Sequence, residues 1–346
     1  MTRYRAAVVG CGRIGSTIDD EVLGDSSIPL PMSHAAGYAE SPHAELIAAC
    51  DPDEAQLRAF GERWGVEALY TDVASMMREA RPELVSIATP TAVRCEVSLE
   101  AAAAGAKALF VEKPIAETLA DADRIVEACA DAGIPLAVNC SRRWDPRQAA
   151  TLELIEQGAI GDVRAIYGLC PGGLSHMGSH LIDLVCYYAE SSVKWCVGHI
   201  DSHEAALADA DVSGCGYLVF ANGVRAFIDM VDAGATSFEL DIVGDTGRVR
   251  MLQNGREFEL WQRREDTRRP VLVRVPFPHP QRLQGAILYA IEDLIGCIEG
   301  GGEPVCSGAD GRHALEVALA VRESERLGNA RIDLPLPDRS LALRSK

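Results

Sequence analysis

The segment "VVGCGRIG" constrains this chain more than any other, because it closes an apolar run with Gly10, Gly12 and Gly15 in a G-x-G-x-x-G. Glycine permits a tight turn and close approach of the backbone to a pyrophosphate, whose charge then meets the free N–H groups at a helix start. The motif carries weight only where a strand precedes it and βα units follow. Both conditions are met. Up to about residue 141, short apolar runs ("RAAVVG", "ELIAACD", "ELVSIATP", "AKALFVEKP", "PLAVNCS") alternate with helical stretches such as "DEAQLRAFGERWG" and "TLADADRIVEACADAG". The alternation predicts α/β architecture: a doubly wound parallel sheet covered on both faces, with a dinucleotide held at Gly10, Gly12, Arg13, Ile14 and Gly15.

The spacing to the next acidic residue is irregular. An acid for the adenosine ribose is expected about 20 residues beyond the glycines, yet the strand-end Asp51 lies about 36 beyond Gly15. The excess is read as an insertion, Thr17 to Ser33, rich in acidic, turn and proline residues, after which "HAAGYAESPHAELIAACD" resumes ordinary spacing. Asp51 can accept from both ribose hydroxyls and repels a 2′-phosphate, so NAD is expected and NADP disfavoured. Its alternative role is a cap for the following helix.

After about Trp144 the rhythm changes. A helix near Pro146 to Gln157 leads to the strand "VRAIYGLC", a histidine-bearing segment, and alternating strands with turn signals at Asn222-Gly223 and Asp245 to Gly247. This predicts antiparallel sheet. Helical segments at about Gln281 to Glu299 and Gly308 to Leu327 close the domain, and "RIDLPLPDRS" ends it as an extended tail. The expected division is residues 1–141 and 142–346.

With 33 basic against 51 acidic side chains, the formal charge is −18. That sign opposes binding to phosphate backbones, so no nucleic-acid partner is expected. No run reaches the roughly 18 apolar residues of a membrane helix, and "MTRYRAAVVGCGRIG" passes straight into a strand without leader features. A mature, cytoplasmic protein without membrane contact is expected. The eleven cysteines contain no C-x-x-C pair and read as reduced apolar fillers.

In "GGLSHMGSHLID", His176 and His180 stand four apart, with Asp183 three further on. Histidines at i and i+4 on one helix can share a metal. A zinc-protease pattern needs Glu after the first histidine, where Met177 stands, and no third histidine or cysteine is nearby, so no metal is expected. The acid–base reading uses His180 to take a hydroxyl proton near neutral pH, with Asp183 orienting the imidazole or holding a substrate hydroxyl.

Taken in order, "GCGRIGS", "IATPT", "EKP", "SRRWDP", "GAIGDV" and "GG…H…HLIDL" resemble the Gfo/Idh/MocA oxidoreductase family over nearly the whole chain. The resemblance implies an N-terminal Rossmann domain and a C-terminal α/β domain whose open, mostly antiparallel sheet often packs in oligomers, here a homodimer or homotetramer. It also implies a nicotinamide cofactor and a sugar, cyclitol or related polyol substrate. The lysine of the family's E-K-P falls on Lys113, placing it against the reacting hydroxyl and the cofactor. Thr89 and Pro90 fall on a cofactor loop, where the family often has Asn at Thr91 and His at Arg94. Glu112 falls near a cofactor ribose, Arg143 near the cofactor, and Arg142 near the substrate. The family's D-x-x-x-H-x-x-D falls on His176, His180 and Asp183, with histidine replacing the first aspartate. His176 is accordingly a candidate for catalysis, substrate binding or a structural role.

These features favour an NAD-dependent dehydrogenase or reductase acting on a secondary hydroxyl or carbonyl of a sugar, sugar acid or cyclitol, with Lys113 and His180 in proton transfer. One alternative is an NAD-using lyase or glycosidase that oxidises transiently and eliminates, which the histidine at 176 fits. The other is a non-catalytic NAD-binding sensor, against which the retention of Lys113 with His180 argues.

Overall fold

The computed structural model describes residues 3–344 apart from 26, 27, 232, 235, 265, 267, 270, 281 and 282. Two residues of the expected insertion, the helix start expected near Gln281, and residues 1, 2, 345 and 346 therefore lie outside the described residues. The chain forms two units, Met1–Asp145 with Arg282–Arg312, and Pro146–Gln281 with His313–Lys346.

The first unit is a doubly wound α/β layer. Its elements are β1 (Tyr4–Val9), α1 (His34–Glu40), β2 (Ala44–Cys50), α2 (Glu54–Trp64), β3 (Ala68–Tyr70), α3 (Val73–Glu79), β4 (Leu84–Ile87), α4 (Thr91–Ala103), β5 (Ala108–Val111), α5 (Leu119–Ala132) and β6 (Leu136–Val138). The strands pair in the order β3-β2-β1-β4-β5-β6, all parallel. Residues Ala6–Val9, β4 and β5 are buried throughout, which is why they read as unbroken apolar runs. The helix ends follow local chemistry: Asp53 accepts from the amides of Ala55 and Gln56 to start α2, and Gly65 closes it at φ +68°.

Register decides where the functional residues emerge. Cys50, Val9, Ile87, Val111 and Val138 lie side by side across β2, β1, β4, β5 and β6. The residues that follow them, Asp51, Gly10, Ala88, Glu112 and Asn139, therefore form a row at the carboxyl edge, where open α/β sheets bind ligands.

The first crossover is interrupted over the segment read as an insertion. Arg13–Thr17 makes one π-helical turn, Ile18–Val22 a 3₁₀ turn, and the helix resumes at His34 with Ser33 as its N-cap. Buried Asp19 joins the two limbs of the intervening segment, accepting from the amides of Met32 (2.8 Å) and Ser33 (3.1 Å). Extra residues are tolerated there because the loop closes on itself before the crossover continues.

The second unit contains α6 (Pro146–Glu156), β7 (Val163–Cys170), α7 (Gly178–Ala189), β8 (Val193–Ile200), α8 (His203–Leu207), β9 (Gly214–Phe220), β10 (Arg225–Met230), β11 (Glu239–Gly244), β12 (Gly247–Leu252), β13 (Glu257–Arg264), β14 (Val271–Val275) and β15 (Ile332–Asp333). The nine strands run β14-β13-β12-β11-β7-β10-β9-β8-β15, antiparallel except for β7 with β10. Both expected hairpin turns occur, between β9 and β10 and between β11 and β12. Gly168 of β7 is the seat of α7: a Cβ there would lie 2.5 Å from Leu181 Cδ1. The opposite face of the sheet exposes Tyr167, Tyr217 and Phe227 in one cross-strand row.

Two helices complete the chain, α9 (Ala286–Gly300) and α10 (Gly308–Arg326). The sequence reading placed α9 in the second domain, but its contacts place it in the first unit. The reason is steric: Ile287 and Ile291 pack so closely on Gly37 of α1 that a Cβ there would lie 2.8 Å from Ile291 Cδ1. Helix α10 crosses the division, and Val321 packs beneath Gly198 and Gly216 of the second sheet. All eleven cysteines are free thiols, eight of them buried. No helix among the described residues is long and apolar enough to cross a membrane.

Candidate active site

The glycine loop is shaped by backbone contact. Gly10 sits at φ +98°, and a Cβ would fall 2.7 Å from the Ala88 carbonyl group; at Gly15 it would fall 2.0 Å from Gly10 O. Those two positions exclude side chains for reasons internal to the protein. Gly12 has room, with Gln56 Oε1 3.5 Å away as its nearest neighbour. Arg13 is exposed and pairs with Glu21 through two hydrogen bonds of 2.6 and 2.7 Å, while Ile14 is half-buried.

Asp51 is ordered beside this loop. Its Oδ2 accepts from the Cys11 amide (2.8 Å) and its Oδ1 from the Asp53 amide (2.9 Å). A carboxylate offers about four acceptor positions, so the two hydrogen bonds leave capacity for ribose hydroxyls. The helix cap is Asp53 rather than Asp51. Thr89, buried at the end of β4, has its hydroxyl without a hydrogen-bond partner among the described residues, and Pro90 caps α4 from an exposed position. The uncrowded Gly12, the spare acceptors of Asp51 and the orphan Thr89 hydroxyl fit a dinucleotide, which these residues and Gly10 and Gly15 would hold.

Glu112, Lys113 and Pro114 follow β5, and their surroundings were not legible in the sequence. Glu112 is buried, and its Oε1 meets His34 Nε2 at 3.0 Å and Asn139 Nδ2 at 2.5 Å. The other imidazole nitrogen of His34 lies 2.9 Å from Ser86 Oγ, which also hydrogen-bonds Tyr38 OH at 2.9 Å. Burial pushes the Glu112 carboxyl up, but the bond and charge of His34, the charge of Lys113 and the Asn139 bond outweigh it. The carboxyl is held below its ordinary value. Glu112 thus anchors the loop internally through Oε1.

Arg94 anchors the same tripeptide from its other side. Its guanidinium, buried within α4, donates to the carbonyls of Pro114 and Thr89, and burial pushes its pKa down to about 10. One side chain therefore ties the loop after β4 to the loop after β5. Thr91 opens α4 and donates to Glu117 at 3.3 Å.

Arg142, Arg143 and Trp144 form a 3₁₀ turn, Ser141–Trp144. Arg143 is buried and donates to Val305 O (2.9 Å) and Asp310 Oδ1 (3.1 Å), holding the returning segment of its own unit. Trp144 donates to Asp293 Oδ2 at 2.9 Å. Arg142 is half-buried at the head of the turn.

In the second unit the histidine pair is not a shared helical face. Only His180 lies within α7; His176 precedes it in a turn and is exposed. The Met177 carbonyl accepts from His180 N (3.1 Å), while Ser179 Oγ donates back to His176 O (2.9 Å). His180 and Asp183 are buried one turn apart on α7.

Comparison with known proteins agrees with the fold of both sheets. The oxidoreductase family with an NAD-binding Rossmann fold matches residues 4–140, and its C-terminal α/β domain matches residues 171–334. The chain is 28% identical to a D-apiose dehydrogenase of Paraburkholderia graminis, over 95% of this chain and 89% of that protein. It is 25% identical to a myo-inositol 2-dehydrogenase of Thermotoga maritima, over 92% and 96% respectively. A crystal structure of an oxidoreductase from Agrobacterium radiobacter in complex with NAD+, L-tartaric acid and magnesium shares the fold, with TM-score 0.78 and 21% identity over 96% of this chain and 98% of that one. With both domains matched in order, the chain belongs to the Gfo/Idh/MocA family of oxidoreductases, whose N-terminal domain is an NAD-binding Rossmann fold.

Proposed function

We propose that this protein is an NAD-dependent dehydrogenase or reductase acting on a secondary hydroxyl or carbonyl of a sugar, sugar acid or cyclitol, with Lys113 and His180 in proton transfer. The observation that carries this reading is the two-sided anchoring of the Glu112-Lys113-Pro114 tripeptide by His34 and Arg94 at the carboxyl edge of the parallel sheet. Anchoring of both neighbours fixes the backbone that carries Lys113, which supports a role for this lysine in chemistry. NAD, when bound, accepts or returns the hydride. Gly10, Gly12, Arg13, Ile14 and Gly15 receive its pyrophosphate, Asp51 its ribose, and Thr89 and Pro90 flank it. Lys113 polarises the reacting oxygen, and His180 takes up or supplies the proton with Asp183 behind it on the same helix face. Arg142 and His176 contact the substrate. The named activities of the relatives, on D-apiose and on myo-inositol, support a polyol.

A cytoplasmic homo-oligomer, dimer or tetramer, is part of the same proposal. The exposed row of Tyr167, Tyr217 and Phe227 is the surface suited to it, and light scattering on a Tyr167→Asp variant tests that assignment.

The principal test is NADH formation from NAD across a panel of cyclitols, aldoses and sugar acids, with Lys113→Ala as the control. Turnover should fall by about 10²–10⁴-fold in the variant, with NAD binding retained. His176, standing where the family carries an acid, favours one second reading: transient oxidation followed by elimination. Release of an aglycone from a glycoside without net NADH would select it.

A further inference from the structure

The family motif has an acidic side chain where this chain has His176. A carboxylate meets the backbone amide of His176, supplied by a residue 35 positions away in the chain. Asp211, on the segment between α8 and β9, directs Oδ1 to the Ser175 amide at 2.7 Å and Oδ2 to the His176 amide at 3.0 Å. Two successive amides on one carboxylate make a charge-assisted clamp.

The surrounding sequence is built to admit it. A Cβ on Gly173 would lie 2.5 Å from Asp211 Oδ2, so glycine at 173 leaves the space that the carboxylate fills. The two segments are also joined by Leu174 N to Val212 O at 2.9 Å and by Ser213 Oγ to Gly172 O at 3.1 Å. Asp211 is itself fixed, since its amide donates to Arg344 O at 3.0 Å. Burial pushes its carboxyl up, opposed by the two amides and by the charge of His176.

We propose that Asp211 is a positioning residue for His176, holding its backbone from another segment, and that it sets how His176 meets the substrate. The inference rests on the polyol dehydrogenase reading above. Asp211 acts through the backbone of Ser175–His176 and through its charge beside the imidazole, without touching substrate itself.

The test compares wild type, Asp211→Ala, His176→Ala and the double variant of the full-length protein, by steady-state kinetics and by hydrogen exchange of the 172–180 segment. Asp211→Ala should raise KM for the polyol about tenfold while leaving KM for NAD within about twofold. The double variant should be no worse than His176→Ala within about twofold, because residues acting as one unit are not additive. Gly173→Ala should reproduce the Asp211→Ala effect. Multiplicative losses in the double variant, or an unchanged polyol KM in Asp211→Ala, would overturn the proposal. If wild type forms no NADH from any polyol, the dehydrogenase reading fails and exchange decides the Asp211 assignment: lost protection at the 175 and 176 amides supports it, unchanged protection refutes it. If Asp211→Ala does not fold, Asp211→Asn replaces it in every arm; its amide keeps one acceptor oxygen and loses the charge, so an intermediate KM is expected.

Discussion

His34 Nε2 lies 3.0 Å from Glu112 Oε1, joining residues 78 apart in the chain beneath the loop that carries Lys113. His34 is fully buried and Glu112 nearly so, so neither group has bulk water as an alternative partner. Placement of Lys113 therefore depends on a residue lying beyond the insertion that interrupts the first crossover.

Removing one side of this buried pair should cost more than removing both. His34→Ala leaves a buried carboxylate short of a donor and should lower unfolding free energy by about 3 kcal/mol. Adding Glu112→Gln to His34→Ala should recover about half of that loss, since a neutral amide is cheaper to bury. Denaturant unfolding of the two singles and the double checks this. Simple additivity would show that the pair is not coupled.

The same carboxylate makes stability pH-dependent in a defined direction. Glu112 is held below its ordinary value of 4.5 in the folded protein, so the folded state binds fewer protons than the unfolded state as pH falls through that region. Its contribution is present above the ordinary value and is lost as pH drops through the lower folded value. Wild type should therefore lose more stability than Glu112→Gln between about pH 5 and pH 3. Parallel curves for the two proteins would assign the acid sensitivity to other groups.

Cofactor choice is expected to depend on Asp51. Its two amide bonds point the carboxylate along the edge of the glycine loop, where it would accept from ribose hydroxyls and repel a 2′-phosphate. Asp51→Asn should raise KM for NAD about tenfold and narrow the preference over NADP. A wild-type preference for NADP would remove the physical basis of this assignment.

What could be read from the sequence was governed by backbone sterics and local periodicity. The glycine loop, Asp51 and the strands β1, β2, β4, β5 and β6 were legible because buried parallel strands are continuous apolar runs and Gly10 and Gly15 exclude a Cβ. β3 was missed: Ala68–Tyr70 is three half-buried residues at a sheet edge, with no periodicity to detect. The return of α9 to the first unit was missed because a helix pattern shows which face is apolar but not which surface covers it. Gly37 carries the trace of that packing. In the sequence His34 marks only the point where ordinary spacing resumes, and its partners Ser86 and Glu112 come from two other strands, with Asn139 from a third bonding the same Glu112 oxygen. Such a constellation depends on sheet order, which local patterns do not encode. For the same reason the contacts that Glu112 and Arg143 make within their own unit are not visible in local sequence.

Arg94 couples two loops that could otherwise respond independently. Its guanidinium reaches Thr89 O in the loop after β4 and Pro114 O in the loop after β5, using a planar fork that a lysine ammonium lacks. Arg94→Met should therefore disturb two properties together, raising KM for NAD through the Thr89 loop and lowering kcat through Lys113, with about 2 kcal/mol of stability lost to two unpaired carbonyls. Arg94→Lys keeps a cation able to serve one carbonyl well and should fall between wild type and Arg94→Met in both properties. Kinetics alongside thermal unfolding separate this from a purely structural role. If Arg94→Met lowers Tm while KM for NAD and kcat at a permissive temperature stay at wild-type values, the guanidinium holds the fold and not the chemistry.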